Sequence, residues 1–262
     1  NHTYHFSSTR LTGTEIVLDE ASVTATENIL MAATLAEGET IIYNAACEPH
    51  VQDLANLLNA MGASVSGIGT NRIHVQGVPS LHGTTHRVQP DFIEIGSFIA
   101  AAVATGGALT IPHAGDPLVL NIMQRTYARL GVQWRVDDAG TLHLPQQIDR
   151  TIQGDIGNDT PKIEDGIWPA FPSDLMSVAI VLATQTKGTT LFFEKMFESR
   201  MYFVDHLMSM GANIIPCDPH RVVVVGPTQL RGSILTSPDI RAGMAMLIAA
   251  CCANGESLIK NA

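Results

Sequence analysis

Apolar positions along this chain alternate between two rhythms. The run Leu175-Met176-Ser177-Val178-Ala179-Ile180-Val181-Leu182-Ala183 is apolar on every side and reads as a helix. Pro172-Ser173-Asp174 opens it: the proline stops the helix from starting earlier, and Ser173 or Asp174 is a natural N-cap. The same plan recurs in four copies, each a helical Ala/Leu/Ile/Met run, a Gly, a short β-branched strand and a loop. The copies run from residues 29–33 through Gly38 to Ile41-Ile42, and from residues 98–102 through Gly107 to Thr110-Ile111. They continue from residues 178–182 through Gly188 to Leu191-Phe192, and from residues 246–250 through Gly255 to Leu258-Ile259. Gly suits a helix C-terminus because it takes the left-handed conformation at little cost.

The second half of each copy repeats too. Helical patterns cover residues 51–58, 120–127 and 203–208, and each ends in a Gly turn at Gly62, Gly131 or Gly211. Alternating strands follow, such as Ser64-Val65-Ser66 with Arg72-Ile73-His74-Val75, and Asn213-Ile214-Ile215 with residues 221–225. A Leu-x-Gly opens the next copy at Leu11, Leu81 and Leu230; the third copy lacks it, and residues 146–168 read as an irregular connection. The predicted unit is β-α-β-α-β-β, with four strands and two helices. So small a unit cannot bury its own faces, so copies must pack together, and the alternation gives an α/β class. Residues 1–7 read as the closing strand of an earlier copy, and the last copy stops after its first strand, so the pattern predicts a chain incomplete at both ends.

Composition narrows the chemistry. Of 262 residues, 45% are hydrophobic and 5% aromatic, which calls for an aliphatic core. A net charge of -10 argues against binding a phosphate backbone, but two well-placed arginines can still hold a small anion. Cys47, Cys217, Cys251 and Cys252 form no metal or redox pattern, and the adjacent pair at Cys251 falls in an apolar helical run, where it reads as packing. The ten histidines lack metal-site spacing. No cofactor, metal or membrane span is expected, and a reducing cytoplasm is the simplest compartment.

Aligning the copies on their glycines brings Ser22-Val23-Thr24, Asp91-Phe92-Ile93, Pro172-Ser173-Asp174 and Asp239-Ile240-Arg241 into register at the starts of the first helices. A helix N-terminus offers free N–H groups and partial positive charge, which suits anions. Capping explains Ser, Thr and Asp there, but not Arg241, whose charge opposes the dipole. Either an anion lies beside it, or it forms a salt bridge with Asp239. Arg200 opens the second helix of its copy and is equally odd. The pattern alone reaches an anion-handling site in a repeat α/β protein, enzyme or binder.

Several motifs, in order along the whole chain, carry a resemblance. They are residues 21–29, Leu35-Ala36-Glu37-Gly38, residues 44–49, residues 90–96, Pro169-Ala170-Phe171-Pro172-Ser173-Asp174, Phe197-Glu198-Ser199-Arg200 and Asp239-Ile240-Arg241-Ala242. Together they resemble the UDP-N-acetylglucosamine 1-carboxyvinyltransferase (enolpyruvyl transferase) family. The resemblance implies the two-domain enolpyruvyl transferase architecture, an inside-out α/β barrel. Residues 1–90 would then be the latter part of one domain, and residues 91–262 most of the second.

It also implies transfer of the enolpyruvyl group of phosphoenolpyruvate to the 3-hydroxyl of UDP-N-acetylglucosamine, the first committed step of peptidoglycan synthesis. On that reading Asp174 contacts the hydroxyl and removes its proton during attack. Glu20, Ala21, Ser22 and Val23 hold the nucleotide, Met196 lies near the uracil or sugar, and Arg200 and Arg241 lie near the anionic groups of phosphoenolpyruvate. The chain departs from the family at Phe92, where Arg is usual, and at Thr24, where Gly is common. The family's Lys-Asn pair, its proton-donor loop with Cys or Asp, and a late Arg have no counterpart here, so the 262-residue polypeptide alone is expected to be inert. The alternatives are a 5-enolpyruvylshikimate-3-phosphate synthase-like enzyme and a non-catalytic nucleotide-sugar binder. An RNA-end-processing enzyme of similar architecture is disfavoured by the acidic balance.

Overall fold

The computed structural model describes every residue except 1, 2, 4, 6, 147–149 and 262. The closing strand expected over residues 1–7 falls mostly outside the described residues. Two compact units divide the chain, Asn1–Gln89 and Pro90–Ala262.

The first unit holds β1 (Glu15–Val17), α1 (Val23–Ala33), β2 (Glu39–Tyr43), α2 (Pro49–Ala60), β3 (Ser64–Ser66) and β4 (Arg72–Gln76). Its sheet runs β1-β2-β4-β3. Glu15 faces Ile41 in a parallel pair, and the other two pairings are antiparallel. Period-two alternation turns Ile42 of β2 and Ile73 and Val75 of β4 inward, against Leu30 of α1 and Val51 and Ala55 of α2. Burying each large side chain contributes about 1.5–3 kcal/mol.

The second unit begins with α3 (Phe92–Ala104), β5 (Leu109–Ile111), α4 (Pro117–Arg129), β6 (Arg135–Val136) and β7 (Leu142–Leu144). β8 (Lys162–Glu164) leads to a 3-10 turn, Ser173–Leu175, that runs into α5 (Met176–Thr184). β9 (Gly188–Phe193), α6 (Val204–Ser209), β10 (Ile214–Asp218), β11 (Arg221–Gly226), β12 (Ile234–Thr236), α7 (Ile240–Cys252) and β13 (Leu258–Lys260) complete it. Its sheets run β5-β7-β6, β8-β9-β11-β10 and β12-β13. Helices α3, α5 and α7 pack on one another, each backed by a strand of its own copy. Every residue of α5 is buried, as expected of a helix apolar all round. Arg150 ties two helix ends together, donating from Nη1 to the Val103 carbonyl at 2.6 Å and from Nη2 to the Gln185 carbonyl at 3.0 Å.

The repeat is visible as shared topology. The order β8-β9-β11-β10 reproduces β1-β2-β4-β3, and β12-β13 reproduces its parallel pair. Isolated parallel bridges at Thr12–Glu37, Thr151–Lys187 and Arg231–Asn254 precede the three parallel pairs. The Leu-x-Gly motif marks this entry at two places. A Cβ on Gly13 would lie 2.2 Å from the Glu39 carbonyl oxygen, and one on Gly232 would lie 2.1 Å from that of Glu256. At Gly83 the same motif has open space around it, and among the described residues the second copy has three strands, not four. The third copy lacks the motif yet forms its strand, because β8 lies inside residues 146–168 where an irregular connection was expected.

Two smaller expectations also change. Gly38, Gly188 and Gly255 have positive φ, but they lie at or near the entry to the following strand rather than directly at the helix ends, and in the second copy the left-handed residue is Gly106, not Gly107. Cys252 packs against the core, whereas its neighbour Cys251 is exposed.

Candidate active site

In the first unit, Glu20 is exposed, while Ala21, Ser22 and Val23 are half-buried at the start of α1. Ser22 is the N-cap, its side chain accepting from the Ala25 amide at 3.3 Å. Thr24 is exposed, and its carbonyl accepts from the Asn28 side chain. In the second unit, Asp91 caps α3 by accepting from the Ile93 and Glu94 amides, and Asp239 caps α7 by accepting from those of Arg241 and Ala242.

Asp174 breaks the series. Its side chain caps nothing, because Pro172 starts a 3-10 turn that delivers α5 without a side-chain cap. The carboxylate instead meets two arginines. Arg241 approaches as a fork, with Nε on Oδ1 and Nη2 on Oδ2 at 2.9 Å. Arg200 Nη1 donates to Oδ1 at 3.1 Å. Charge-assisted forks of this kind are strong and directional. The anion beside Arg241 is therefore Asp174 and not Asp239, which bonds the Arg241 backbone instead.

Arg200 does not open a helix either. It lies in the turn before α6, its guanidinium 4.4 Å above the Phe197 ring. Met196 stands on the same loop and is 39% exposed. Ser177 of α5 donates to the Arg241 carbonyl at 3.1 Å, fastening the two helix starts. A cavity lined by Ser173, Met176, Glu194, Arg200, Met201 and Arg241 opens at this corner.

Burial pushes the Asp174 carboxyl upward, but its hydrogen bonds and charge attraction with Arg241 and then Arg200 outweigh that. Its pKa lies below the ordinary aspartate value, so it is an anion at neutral pH. The hydrogen bond to Asp174 raises Arg241 in turn. The geometry offers an ionised carboxylate that can accept a proton, beside two cations that can hold an anion.

Phe92, where the family usually carries Arg, is buried with its ring 5.3 Å from Trp168. Its side chain belongs to the core. Sequence reasoning passed over Asp165 and Glu194, two acids at strand ends beneath this corner. Each lies just past its strand, in a loop with no periodicity to mark it as buried. Among the described residues, no group of three or more His, Cys, Asp or Glu could hold a metal ion.

The profile of the family described as EPSP synthase (3-phosphoshikimate 1-carboxyvinyltransferase) matches residues 3–262. Curated relatives named UDP-N-acetylglucosamine 1-carboxyvinyltransferase include one from Borrelia garinii, 55% identical over 252 residues, covering 96% of this chain and 58% of the relative. One from Treponema pallidum is 56% identical over 258 residues, covering 98% of this chain and 60% of the relative. The chain thus spans about 60% of the length of the curated relatives it matches. Among solved structures, the enolpyruvyl transferase NikO from Streptomyces tendae aligns with a TM-score of 0.81 at 23% identity, over 97% of this chain and 61% of that one. EPSP synthase from Acinetobacter baumannii aligns with a TM-score of 0.68 at 21% identity, over 95% of this chain and 58% of that one. Those two likenesses establish the fold, and the profile establishes the lineage: the chain belongs to the EPSP synthase (3-phosphoshikimate 1-carboxyvinyltransferase) family of enolpyruvyl transferases.

Proposed function

We propose that this chain carries the acceptor-activating part of an enzyme that transfers the enolpyruvyl group of phosphoenolpyruvate to the 3-hydroxyl of UDP-N-acetylglucosamine. The observation that carries the reading is the Asp174 carboxylate held between Arg200 and Arg241. In this reading Asp174 is the general base. A carboxylate cannot fully deprotonate a sugar hydroxyl beforehand, so proton transfer accompanies attack on the enolpyruvyl carbon. Attack is completed by a proton added to the methylene carbon, and the resulting tetrahedral ketal returns to an enol ether by losing a proton from that methyl carbon as phosphate leaves.

Arg200 and Arg241 hold anionic groups of phosphoenolpyruvate, exchanging part of their grip on Asp174 for the substrate. Releasing Asp174 from those cations also raises its affinity for the incoming proton. Glu20, Ala21, Ser22 and Val23 contact the nucleotide, and Met196 the uracil or sugar. The product would feed peptidoglycan synthesis, and a reaction drawing on a nucleotide sugar and phosphoenolpyruvate would run in the cytoplasm. Among the described residues, no helix is long and apolar enough to cross a membrane.

The reading as 5-enolpyruvylshikimate-3-phosphate synthase has less support, since the EPSP synthase structure is 21% identical whereas the relatives named for the nucleotide sugar reach 56%. A protein containing this chain and spanning the full length of those relatives should release phosphate from phosphoenolpyruvate with UDP-N-acetylglucosamine as acceptor, and not with shikimate 3-phosphate. The opposite preference would transfer the chain to the second reading. Calorimetric binding of the nucleotide sugar without any turnover would make it a binder.

A further inference from the structure

Two carboxyl groups that the proposed reaction does not use lie beneath the Asp174 corner. Asp165 follows β8, Glu194 follows β9, and each is 1% exposed. The strands run parallel with Glu164 opposite Phe193, so the two acids leave the sheet side by side. Both accept from the 195–197 backbone, which sets the two carboxyl groups close together. Among the described residues no cation pairs with either, since Lys195 reaches Glu164 and Arg200 reaches Asp174. Burial, and then the neighbouring Asp165, favour the neutral form of Glu194.

The remaining bonds all run to the functional corner. Asp165 accepts from the Lys195 amide at 2.5 Å and the Met196 amide at 3.3 Å. Glu194 accepts from the Phe197 amide at 3.2 Å and from the Ser173 hydroxyl at 3.0 Å. Ser173 precedes Asp174, and the 195–197 backbone leads to Arg200. We propose that Asp165 and a protonated Glu194 act as positioning residues, clamping the 195–197 backbone and the Ser173 turn so that Arg200 and Asp174 meet. The bearing of this clamp on catalysis rests on the reading given above.

Other charged groups face Glu194. The His220 ring bonds the Glu194 backbone carbonyl at 2.9 Å, and Arg200, Asp239 and Arg241 line the same cavity. Burial first, then the hydrogen bond and charge of Asp165, push the Glu194 carboxyl from 4.5 up to about 8. A carboxyl raised in the folded state stabilises that state fully below its unfolded pKa, and this contribution is lost as pH rises through the folded pKa. An opening that hydrates Glu194 is therefore favoured about tenfold per pH unit across that window, and levels off above it.

Amide hydrogen exchange on the 262-residue chain tests this. After correction for intrinsic rates, protection at Lys195, Met196 and Phe197 should fall about tenfold per pH unit up to about pH 8, then flatten. Glu194→Gln, a neutral isostere of the protonated acid, should hold protection level, while Glu194→Ala should lose it at every pH. Amides of β11 serve as the folded control. Wild-type protection indifferent to pH, or a Glu194→Gln chain that keeps the slope, would overturn the proton on Glu194. This readout needs no turnover, so its failure is separate from failure of the assigned reaction. In the full-length assay, wild-type kcat should decline above about pH 8 and that of Glu194→Gln should not. A level wild-type profile while the amides respond would overturn the positioning role.

Discussion

The start of α1 in the first unit and the start of α5 in the second occupy the same place in the repeat, and they do different work. At α1 the side chain at the helix start is spent on the helix itself, because Ser22 accepts from the Ala25 amide. At α5 the turn is 3-10, the side-chain cap is absent, and Asp174 faces two arginines. The difference follows from what stabilises each helix. Helix α1 buries three of its residues, Thr26, Leu30 and Ala33, so its end needs a cap. Helix α5 is buried along its whole length, and burial rather than capping stabilises it. A helix that does not depend on its cap leaves the carboxylate at its start available for chemistry. Asp239 completes the arrangement by capping α7, which leaves the Arg241 side chain to reach Asp174.

The largest expected effect breaks this comparison at its functional end. Asp174→Ala removes the proposed base and leaves Arg200 and Arg241 without their shared carboxylate. Steady-state phosphate release in the full-length protein should show kcat lower by about 10²–10⁴-fold, the range of a general base. The equivalent loss at α1, Ser22→Ala, should leave kcat within a small factor and act on KM for the nucleotide sugar, because Ser22 touches the nucleotide in the proposed reading and no reacting atom. A loss of kcat after Ser22→Ala as large as that after Asp174→Ala would mean the two helix starts are chemically alike.

The next effect lies in how the second unit holds its central helices. Arg150 donates to the Val103 and Gln185 carbonyls at the ends of α3 and α5, the first of which also accepts from the Gly106 amide at 3.0 Å. Arg150→Met keeps much of the apolar stem and removes both charge-assisted bonds, each contributing about 1.5–3 kcal/mol. A loss of about 3 kcal/mol is expected, read as a lower urea midpoint with unchanged slope. Trp134 and Trp168 are the chain's two tryptophans, and both lie in the second unit, so their fluorescence reports that unit alone.

How far the sequence revealed this molecule depended on whether a signal was periodic. Hydrophobic period and glycine spacing showed the copied units, because both report on backbone geometry that every copy needs. The Leu-x-Gly motif misled at Gly83, where the tripeptide is present without the strand contact that demands Gly at positions 13 and 232. Strand β8 was illegible because three residues are too few to show alternation, and the turn residues around it, Asn158-Asp159-Thr160-Pro161 and Asp165-Gly166, blend it into an irregular connection. Arg241 stood out as a cation in the wrong half of a helix dipole, and its partner is the residue the repeat places at the neighbouring helix start. Asp165 and Glu194 gave no such sign. Two acids 29 residues apart, each just past one of two paired strands, look like any surface carboxylates until the fold buries them.

The smallest expected effect sharpens the comparison between caps. Ser22 accepts a single long bond of 3.3 Å, whereas Asp239 accepts two at 2.8 and 2.9 Å and adds a negative charge at the positive end of α7. Caps contribute about 0.5–2 kcal/mol, so Ser22→Ala should lie near the bottom of that range and Asp239→Ala near the top. Asp239→Asn separates the two contributions, because it keeps an acceptor and loses the charge. Its loss should fall between those of Ser22→Ala and Asp239→Ala, measured by urea unfolding for the second unit and by exchange of the α1 amides for the first. If Asp239→Asn costs as much as Asp239→Ala, the charge dominates, and the α7 start is held by electrostatics in a way the α1 start is not.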